Sequence, residues 1–230
     1  VKKIEDAAGW RIEAGKNIFT SLALIIASGA RPKKIGIPGE DKLQGKGVSY
    51  CATCDGPLYK DKEVIVLGGG DSAVEEALFL TRFVQKLTLI HRRDRLRAAK
   101  VLQERAFADK KIQFIWESAV VEIIGEDKVK AVRVKNIKTQ KESDISCDGV
   151  FVFVGYTPNT DFLKGFIKLD EAGYIVTDDN MRTSRKGVFA CGDCRQKLFR
   201  QVVTACGDGA QAAFSAQQYV EELKGIAYKG

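Results

Sequence analysis

VIVLGGGDSAVEEALFL, residues 64–80, is the stretch on which the fold turns. Val64–Leu67 is a short run of branched apolar residues, as in a strand buried on both faces. Gly68-Gly69-Gly70-Asp71-Ser72-Ala73 follows in the pattern GxGxxA, and the apolar positions 74, 77 and 78 then take up helical spacing. Each residue type has a physical reason. Gly68 permits a tight turn, Gly70 lets the backbone approach a pyrophosphate, and Ala73 allows the helix to pack closely. The helix N-terminus, starting at Asp71 and Ser72, then faces the anion. A glycine-rich string is a weak signal by itself, but strand, glycines and helix in this order predict a dinucleotide site.

Downstream, Lys86–Ile90 reads as the next strand. A site for NAD places Asp or Glu at its end, about 20 residues past the glycines, to hold the ribose hydroxyls. Here the chain reads His91-Arg92-Arg93-Asp94-Arg95-Leu96-Arg97. Arginine forks suit a phosphate, so Arg92, Arg93 and Arg97 predict a 2′-phosphate pocket and a preference for NADPH. The competing reading is a solvated basic face opening a helix from Arg97 to Ala108, with His91 filling space. The position at the strand end favours the pocket.

Upstream stands Cys51-Ala52-Thr53-Cys54-Asp55-Gly56. Cysteines separated by two residues can close a short disulfide, and nearby helix amides stabilise a thiolate there. Asp55 is placed to carry protons to and from the pair. The plainer alternatives are half of a zinc site or two ordinary thiols, and the neighbouring nucleotide motif weighs against both.

Composition sets the outer limits. The chain has 230 residues, enough for one large domain or two modest ones, with 37 basic against 30 acidic side chains and a net charge of +7. Much of the basic excess lies between residues 91 and 105, where a dinucleotide phosphate accounts for it, and no aromatic residues interleave it as stacking platforms, so nucleic acid is not expected. No apolar run approaches the roughly 20 residues needed to span a bilayer, and no secretory h-region opens the sequence, so the expected setting is cytoplasmic. Cysteines at 51, 54, 147, 191, 194 and 206 do not resemble a secreted disulfide framework in a chain of this size.

Elsewhere, Trp10, Ile12, Ile18 and Phe19 suggest strands with turns at Gly9 and Gly15, and Leu22–Ala27 reads as a buried strand. Ser28–Pro32 suits a crossover, since Pro32 keeps Arg31 extended. Residues 35–50 read as a loop. Ile112–Trp116 is a further strand, and Ala119–Ile145 holds three strand candidates predicted to form an antiparallel meander laid on the parallel sheet. Gly149–Gly155 is predicted to mark a second crossover, Gly173–Thr177 a small strand, Gly187–Asp193 a short strand ending in Gly-Asp, and about Gln201–Leu223 a long helix.

With these motifs in place, the chain closely resembles the low-molecular-weight thioredoxin reductases of the pyridine nucleotide disulfide oxidoreductase group. The resemblance rests on Ala27-Ser-Gly29, the Cys51–Gly56 segment, Gly68–Ala73, His91-Arg-Arg93 with Arg97, Gly155–Asn159, Ala190-Cys-Gly-Asp193 and Arg200-Gln201-Val202. It implies an α/β fold: a Rossmann-like three-layer NADPH domain over residues 32–148, with parallel sheet, helices and antiparallel meander, inserted in a partial FAD domain of residues 1–31 and 149–230. It also implies electron flow from NADPH through FAD to the Cys51–Cys54 disulfide and on to thioredoxin or a thioredoxin-like protein. Cys54 would face the flavin, Cys51 would attack the partner, and Asp55 would be the acid and base. Asp193 would hold the flavin ribityl chain, Arg200, Gln201 and Val202 would lie along the flavin, and His91, Gly155 and Gly192 join the cofactor-binding set. Such enzymes rotate one nucleotide domain against the other and are usually homodimers.

The family's first βαβ unit carries its own GxGxxG for FAD, and residues 1–30 do not supply it, because Gly9 and Gly15 do not fit the spacing. The expectation is a fragment lacking roughly the first hundred residues, about one nucleotide-binding unit. An NADPH-binding fragment without turnover is therefore an alternative. A reductase of a peroxiredoxin system is another, disfavoured by the Ala-Thr between the cysteines. Cys191 and Cys194 form a second CxxC in a segment where Asp193 is wanted by the flavin, so neither a second redox pair nor zinc is expected there. Cys147 and Cys206 are expected to be buried small apolar side chains.

Overall fold

The computed structural model describes residues 3–6 and 9–226. They form two compact units, one made of the residues up to Arg31 together with those from Tyr156 onward, the other of Pro32–Gly155.

In the first unit, β1 (Lys3–Asp6), β2 (Trp10–Ala14) and β3 (Asn17–Ser21) make an antiparallel sheet in sequence order. Trp10 anchors it, 5% exposed with its indole N–H donated to the Gly187 carbonyl at 3.2 Å. Next come β4 (Leu24–Ile26) and β5 (Ala30–Pro32). The buried strand expected over Leu22–Ala27 is shorter and only half covered: Ile26 is in the core, while Leu22 and Ile25 are 39% and 40% exposed. An apolar run cannot tell a strand covered on both faces from one covered on a single face.

The second unit begins with β6 (Val48–Ser49), α1 (Ala52–Asp55), β7 (Glu63–Leu67), α2 (Asp71–Leu80), β8 (Lys86–Ile90), α3 (Lys100–Ala108) and β9 (Ile112–Ile115). It continues through β10 (Ser118–Gly125), β11 (Val129–Asn136), β12 (Glu142–Ser146) and β13 (Gly149–Val152). A five-stranded parallel sheet has the order β6-β13-β7-β8-β9, and β10-β11-β12 is the antiparallel meander. Alternation along the strands divides the core. Val64, Val66, Leu87, Leu89 and Phe151 pack with Val74, Ala77 and Leu80 of α2 and Ala106 of α3. Ile65, Leu67, Ile90, Val150 and Val152 pack with Val120, Ile123, Val132 and Val134 of the meander. Successive side chains of a strand point to opposite faces, so a run of branched residues serves both layers. This is the expected three-layer arrangement.

The expected boundary at residue 148 moves. β13 lies between β6 and β7, with Gly149 opposite Val64 and Val152 opposite Leu67, so it is an interior strand of the parallel sheet and the unit extends to Gly155. A strand bonded on both sides and buried in both core layers cannot be shared with another unit.

The first unit resumes with β14 (Tyr156–Pro158), β15 (Val188–Ala190) and α4 (Val202–Leu223). β15 runs parallel to β4, Val188 opposite Leu24. The strand expected over Gly173–Thr177 is reduced to isolated bridges at Ile175, which faces Leu169 and Arg195 and is fully buried. The turn around Asp170, whose carboxylate accepts the Ala172 and Tyr174 N–H groups, uses those backbone groups locally instead.

Candidate functional site

Cys51 and Cys54 are joined in a disulfide at the opening of α1, with Cα atoms 5.3 Å apart. β6 ends at Ser49 and the chain turns into a single helical turn whose N-cap is Cys51, its Sγ accepting the Cys54 N–H at 3.1 Å. Ala52 is buried against the α2 side of the core, which fixes the turn. The Asp55 N–H donates to the Cys51 carbonyl at 3.1 Å, and the Asp55 carboxylate, through Oδ2, accepts the Ser49 hydroxyl at 2.6 Å. Ser49 Oγ in turn accepts the Cys51 N–H at 3.1 Å. From α2, Glu76 comes close to the first backbone groups of α1. Burial raises its pKa, opposed by the N–H groups of Ala52 and Thr53.

The other four cysteines are free thiols. Burial pushes Cys147 up to about 12. Cys191 is also raised, by burial and then by Cys194, and the Cys194 thiol donates to the Cys191 carbonyl at 3.2 Å. Both sit in the apolar core of the first unit. Cys206 corrects an expectation: it is exposed on α4. Among the described residues no group of three or more His, Cys, Asp or Glu could hold a metal ion. Iodoacetamide at pH 7.5 is therefore expected to label Cys206 alone in the non-reduced chain, read by peptide mass. Labelling of Cys147 at a comparable rate would contradict its burial.

In the same unit as the disulfide, the glycine stretch borders a cavity of about 620 Å³. Gly68 is required by the fold. Its φ is +153°, and a Cβ there would lie 2.5 Å from the Ala73 side chain and 2.6 Å from the Phe153 carbonyl. A Cβ on Gly69 would meet the His91 ring at 2.4 Å, whereas one on Gly70 would meet nothing within 4 Å. The backbone at Gly70, the N-cap of α2, is therefore open to a ligand.

The segment after β8 is clasped to these glycines. The Arg97 N–H donates to the Gly69 carbonyl at 2.7 Å, and the Asp71 carboxylate accepts the Ala99 N–H at 2.8 Å. Leu96 and Ala98, on either side of Arg97 in the chain, are buried in the core, which turns the exposed Arg97 outward. Arg92, Arg97, Ser72, Lys33 and Lys34 line the cavity. Arg93 is not among the lining residues, and its carbonyl accepts the Glu117 N–H at 3.1 Å. Asp71 is at the rim, with one carboxylate oxygen bound by the clasp.

His91 is only 6% exposed, lodged beneath Gly69 with Nε2 buried and unpartnered. Burial, with Arg97 and Arg93 nearby, lowers its pKa, so the ring is neutral at pH 7. The unfolded chain takes up that proton first. The contribution to stability is thus complete above the unfolded value of about 6.5 and is lost as the pH falls toward the folded one. Urea unfolding of His91→Asn at pH 7.5 and pH 5 is expected to show a smaller acid loss than the parent. An equal loss would mean that His91 does not titrate in this window.

In the first unit, Asp193 Oδ1 is buried without a hydrogen-bond partner. The Arg200 guanidinium lies 4.0 Å over the Tyr174 ring, and its Nε donates to the Asp193 carbonyl at 3.3 Å. The Gly192 N–H donates to Asp208 Oδ2 at 3.1 Å. Burial pushes Asp208 upward, but Lys197 and Arg195, bonded to it at 2.8 and 3.0 Å, hold it below the ordinary carboxylate range. Gln201 caps α4 in a box with Thr204, and Val202 is 79% exposed. Gly155 closes the second unit, beside Lys33 at the cavity wall.

Sequence reasoning did not single out Ser49, Glu76, Lys33, Lys34 or Asp208. The paired lysines directly after Pro32 carried a readable basic signal. A serine and a glutamate near a redox pair carried none.

A family model described as pyridine nucleotide-disulphide oxidoreductase matches residues 2–209. A thioredoxin reductase of Peptoclostridium acidaminophilum is 52% identical over 216 residues, 91% of this chain and 69% of that protein. One from Listeria innocua is 50% identical over 229 residues, 97% of this chain and 71% of that protein. The crystal structure of thioredoxin reductase from Streptococcus pyogenes superposes with a TM-score of 0.90 at 48% identity, covering 96% of this chain and 73% of that one.

Proposed function

Because the chain belongs to the pyridine nucleotide-disulphide oxidoreductase family, we propose that it acts as a thioredoxin reductase, carrying electrons from NADPH through FAD to the Cys51–Cys54 disulfide and on to thioredoxin or a thioredoxin-like protein. The observation that carries the reading is a bonded CxxC, flanked by a hydrogen-bonded carboxylate, on the same compact unit as a glycine-lined cavity with two arginines at its wall.

The residues fit NADPH and the ribityl side of FAD. For NADPH, Gly68–Ala73 and the N-terminus of α2 would take the pyrophosphate, and Arg92 and Arg97 the 2′-phosphate, with Lys33 and Lys34 adding positive charge. For FAD, the unpartnered Asp193 Oδ1 is an acceptor waiting for a hydroxyl, as a ribityl chain would provide, and Arg200, Gln201 and Val202 are the neighbouring candidates. When bound, the nicotinamide would supply a hydride and the flavin a relay for its electron pair to a disulfide.

The protein's own residues do the rest. With the pair reduced, the Cys51 thiolate attacks the partner disulfide, one partner sulfur leaves as a thiolate, and Cys54 resolves the mixed disulfide. Two electrons pass to the partner and the Cys51–Cys54 bond re-forms. Asp55 holds and returns the proton that the leaving sulfur requires. Four free thiols beside one disulfide suit a reducing compartment, and a cytoplasmic setting with the homodimer usual for such enzymes completes the proposal. No helix among the described residues is long and apolar enough to cross a membrane.

A second reading, an NADPH-binding module without turnover, is favoured by one fact: the cavity is lined entirely from within Pro32–Gly155. The deciding measurement is the visible spectrum of the chain after FAD is added and unbound flavin removed, before and after anaerobic NADPH. Bound flavin that bleaches and passes electrons to thioredoxin supports the reductase. Colourless protein that still binds NADPH supports the module.

A further inference from the structure

We infer that Ser49 is a positioning residue for the thiol–disulfide chemistry of Cys51–Cys54, its hydroxyl hydrogen fixing the Asp55 carboxyl that serves the pair. The inference rests on the reading of Asp55 as the proton carrier.

Ser49 is 4% exposed at the end of β6, where a polar side chain is retained only if its hydrogen-bonding capacity is used. Its oxygen has two acceptors within reach for a single hydrogen: Asp55 Oδ2 at 2.6 Å and the Cys51 carbonyl at 3.3 Å. The shorter contact is to the charged group, and hydrogen bonds to a carboxylate are the stronger kind, so the hydrogen goes to Asp55. A lone pair of the same oxygen then takes the Cys51 N–H at 3.1 Å. The serine thus joins the backbone of the first cysteine to the carboxylate that follows the second. One Asp55 oxygen is bound and its orientation is set.

The step to be measured is reduction of the pair by dithiothreitol. A dithiothreitol thiol gives its proton to the Asp55 carboxylate and attacks one sulfur as the thiolate; the Cys51–Cys54 bond breaks, and its electron pair goes to the leaving sulfur, which takes that proton back from Asp55. The second dithiothreitol thiol then closes its own ring and releases the other cysteine. The chain gains two electrons and two protons, and the reagent loses the same.

The rate is read by acid quench and maleimide mass labelling from pH 5 to 8, using the full chain as parent, Ser49→Ala, Ser49→Thr, Asp55→Asn and the Ser49→Ala/Asp55→Asn double variant. Ser49→Ala is expected to slow reduction about tenfold, the size expected from losing a hydrogen bond to a charged group, and to change the pH dependence of the rate per dithiothreitol thiolate in the same way as Asp55→Asn does. Ser49→Thr should recover most of the rate, since it keeps the hydroxyl on a β-branched strand residue. The double variant should be no slower than Asp55→Asn. Multiplying effects in the double variant, or a threonine as slow as the alanine, would mean that Ser49 only braces the backbone, and the inference fails. A slow Asp55→Asn beside a Ser49→Ala at the parent rate also defeats it, leaving the role of Asp55 intact. An Asp55→Asn chain at the parent rate removes the proton carrier itself, and the inference with it.

Discussion

Cys51→Ser or Cys54→Ser is expected to reduce disulfide turnover to background while leaving NADPH affinity within about twofold, because the cavity is built without either sulfur. No other thiol can stand in. Cys147 is buried with its pKa pushed up to about 12, so it presents almost no thiolate at neutral pH. Cys191 and Cys194 face an apolar core, and Cys206, on α4 of the other unit, is the one exposed free thiol among the described residues and so has no second exposed thiol to pair with. Folding should survive the change. The bond closes a loop of sequence separation 3, far below the roughly 15 residues for which loop closure contributes about 3 kcal/mol. Thioredoxin reduction and NADPH titration on the same preparation give both numbers. Turnover that persists in either variant would remove the pair from the mechanism.

The second unit was legible because its signals are local. Val64–Leu67, the glycines and Lys86–Ile90 each announce themselves within a few residues, and β8 has the bounds read from sequence. The meander followed from alternation in the same way. β13 was misplaced because a strand's neighbours are chosen through space. Val150 pairs with Val48 and Ile65, and nothing within Gly149–Gly155 names either partner. Cys206 was misjudged for a related reason, since composition does not say which face of α4 is covered.

At the site, residue types were readable and their contacts were not. Three arginines announced a phosphate pocket, yet only the fold separates Arg92 and Arg97, at the cavity wall, from Arg93, which is absent from the lining. The missing Cβ at Gly69 is explained by a histidine 22 positions later in the chain, whose ring fills the space. Ser49 gave no signal because its meaning lies in a hydrogen bond made across a turn.

That separation of the arginines gives the other large effect. The Arg92→Ala/Arg97→Ala chain is expected to bind NADPH at least 100-fold more weakly and NADH less than about threefold more weakly, since each guanidinium–phosphate contact is worth about 1.5–3 kcal/mol, or roughly 10- to 100-fold. The change is clean at Arg97. Its contact with the glycine stretch is made by the backbone N–H to the Gly69 carbonyl, which alanine keeps. Arg93→Ala serves as the internal comparison and should alter neither affinity by more than about threefold, because only screened long-range charge is lost. Titrations at two ionic strengths should also show a weaker salt dependence for NADPH in the double variant. Equal losses for the two nucleotides would mean that the arginines support the fold of the 92–99 segment and do not read the 2′-phosphate.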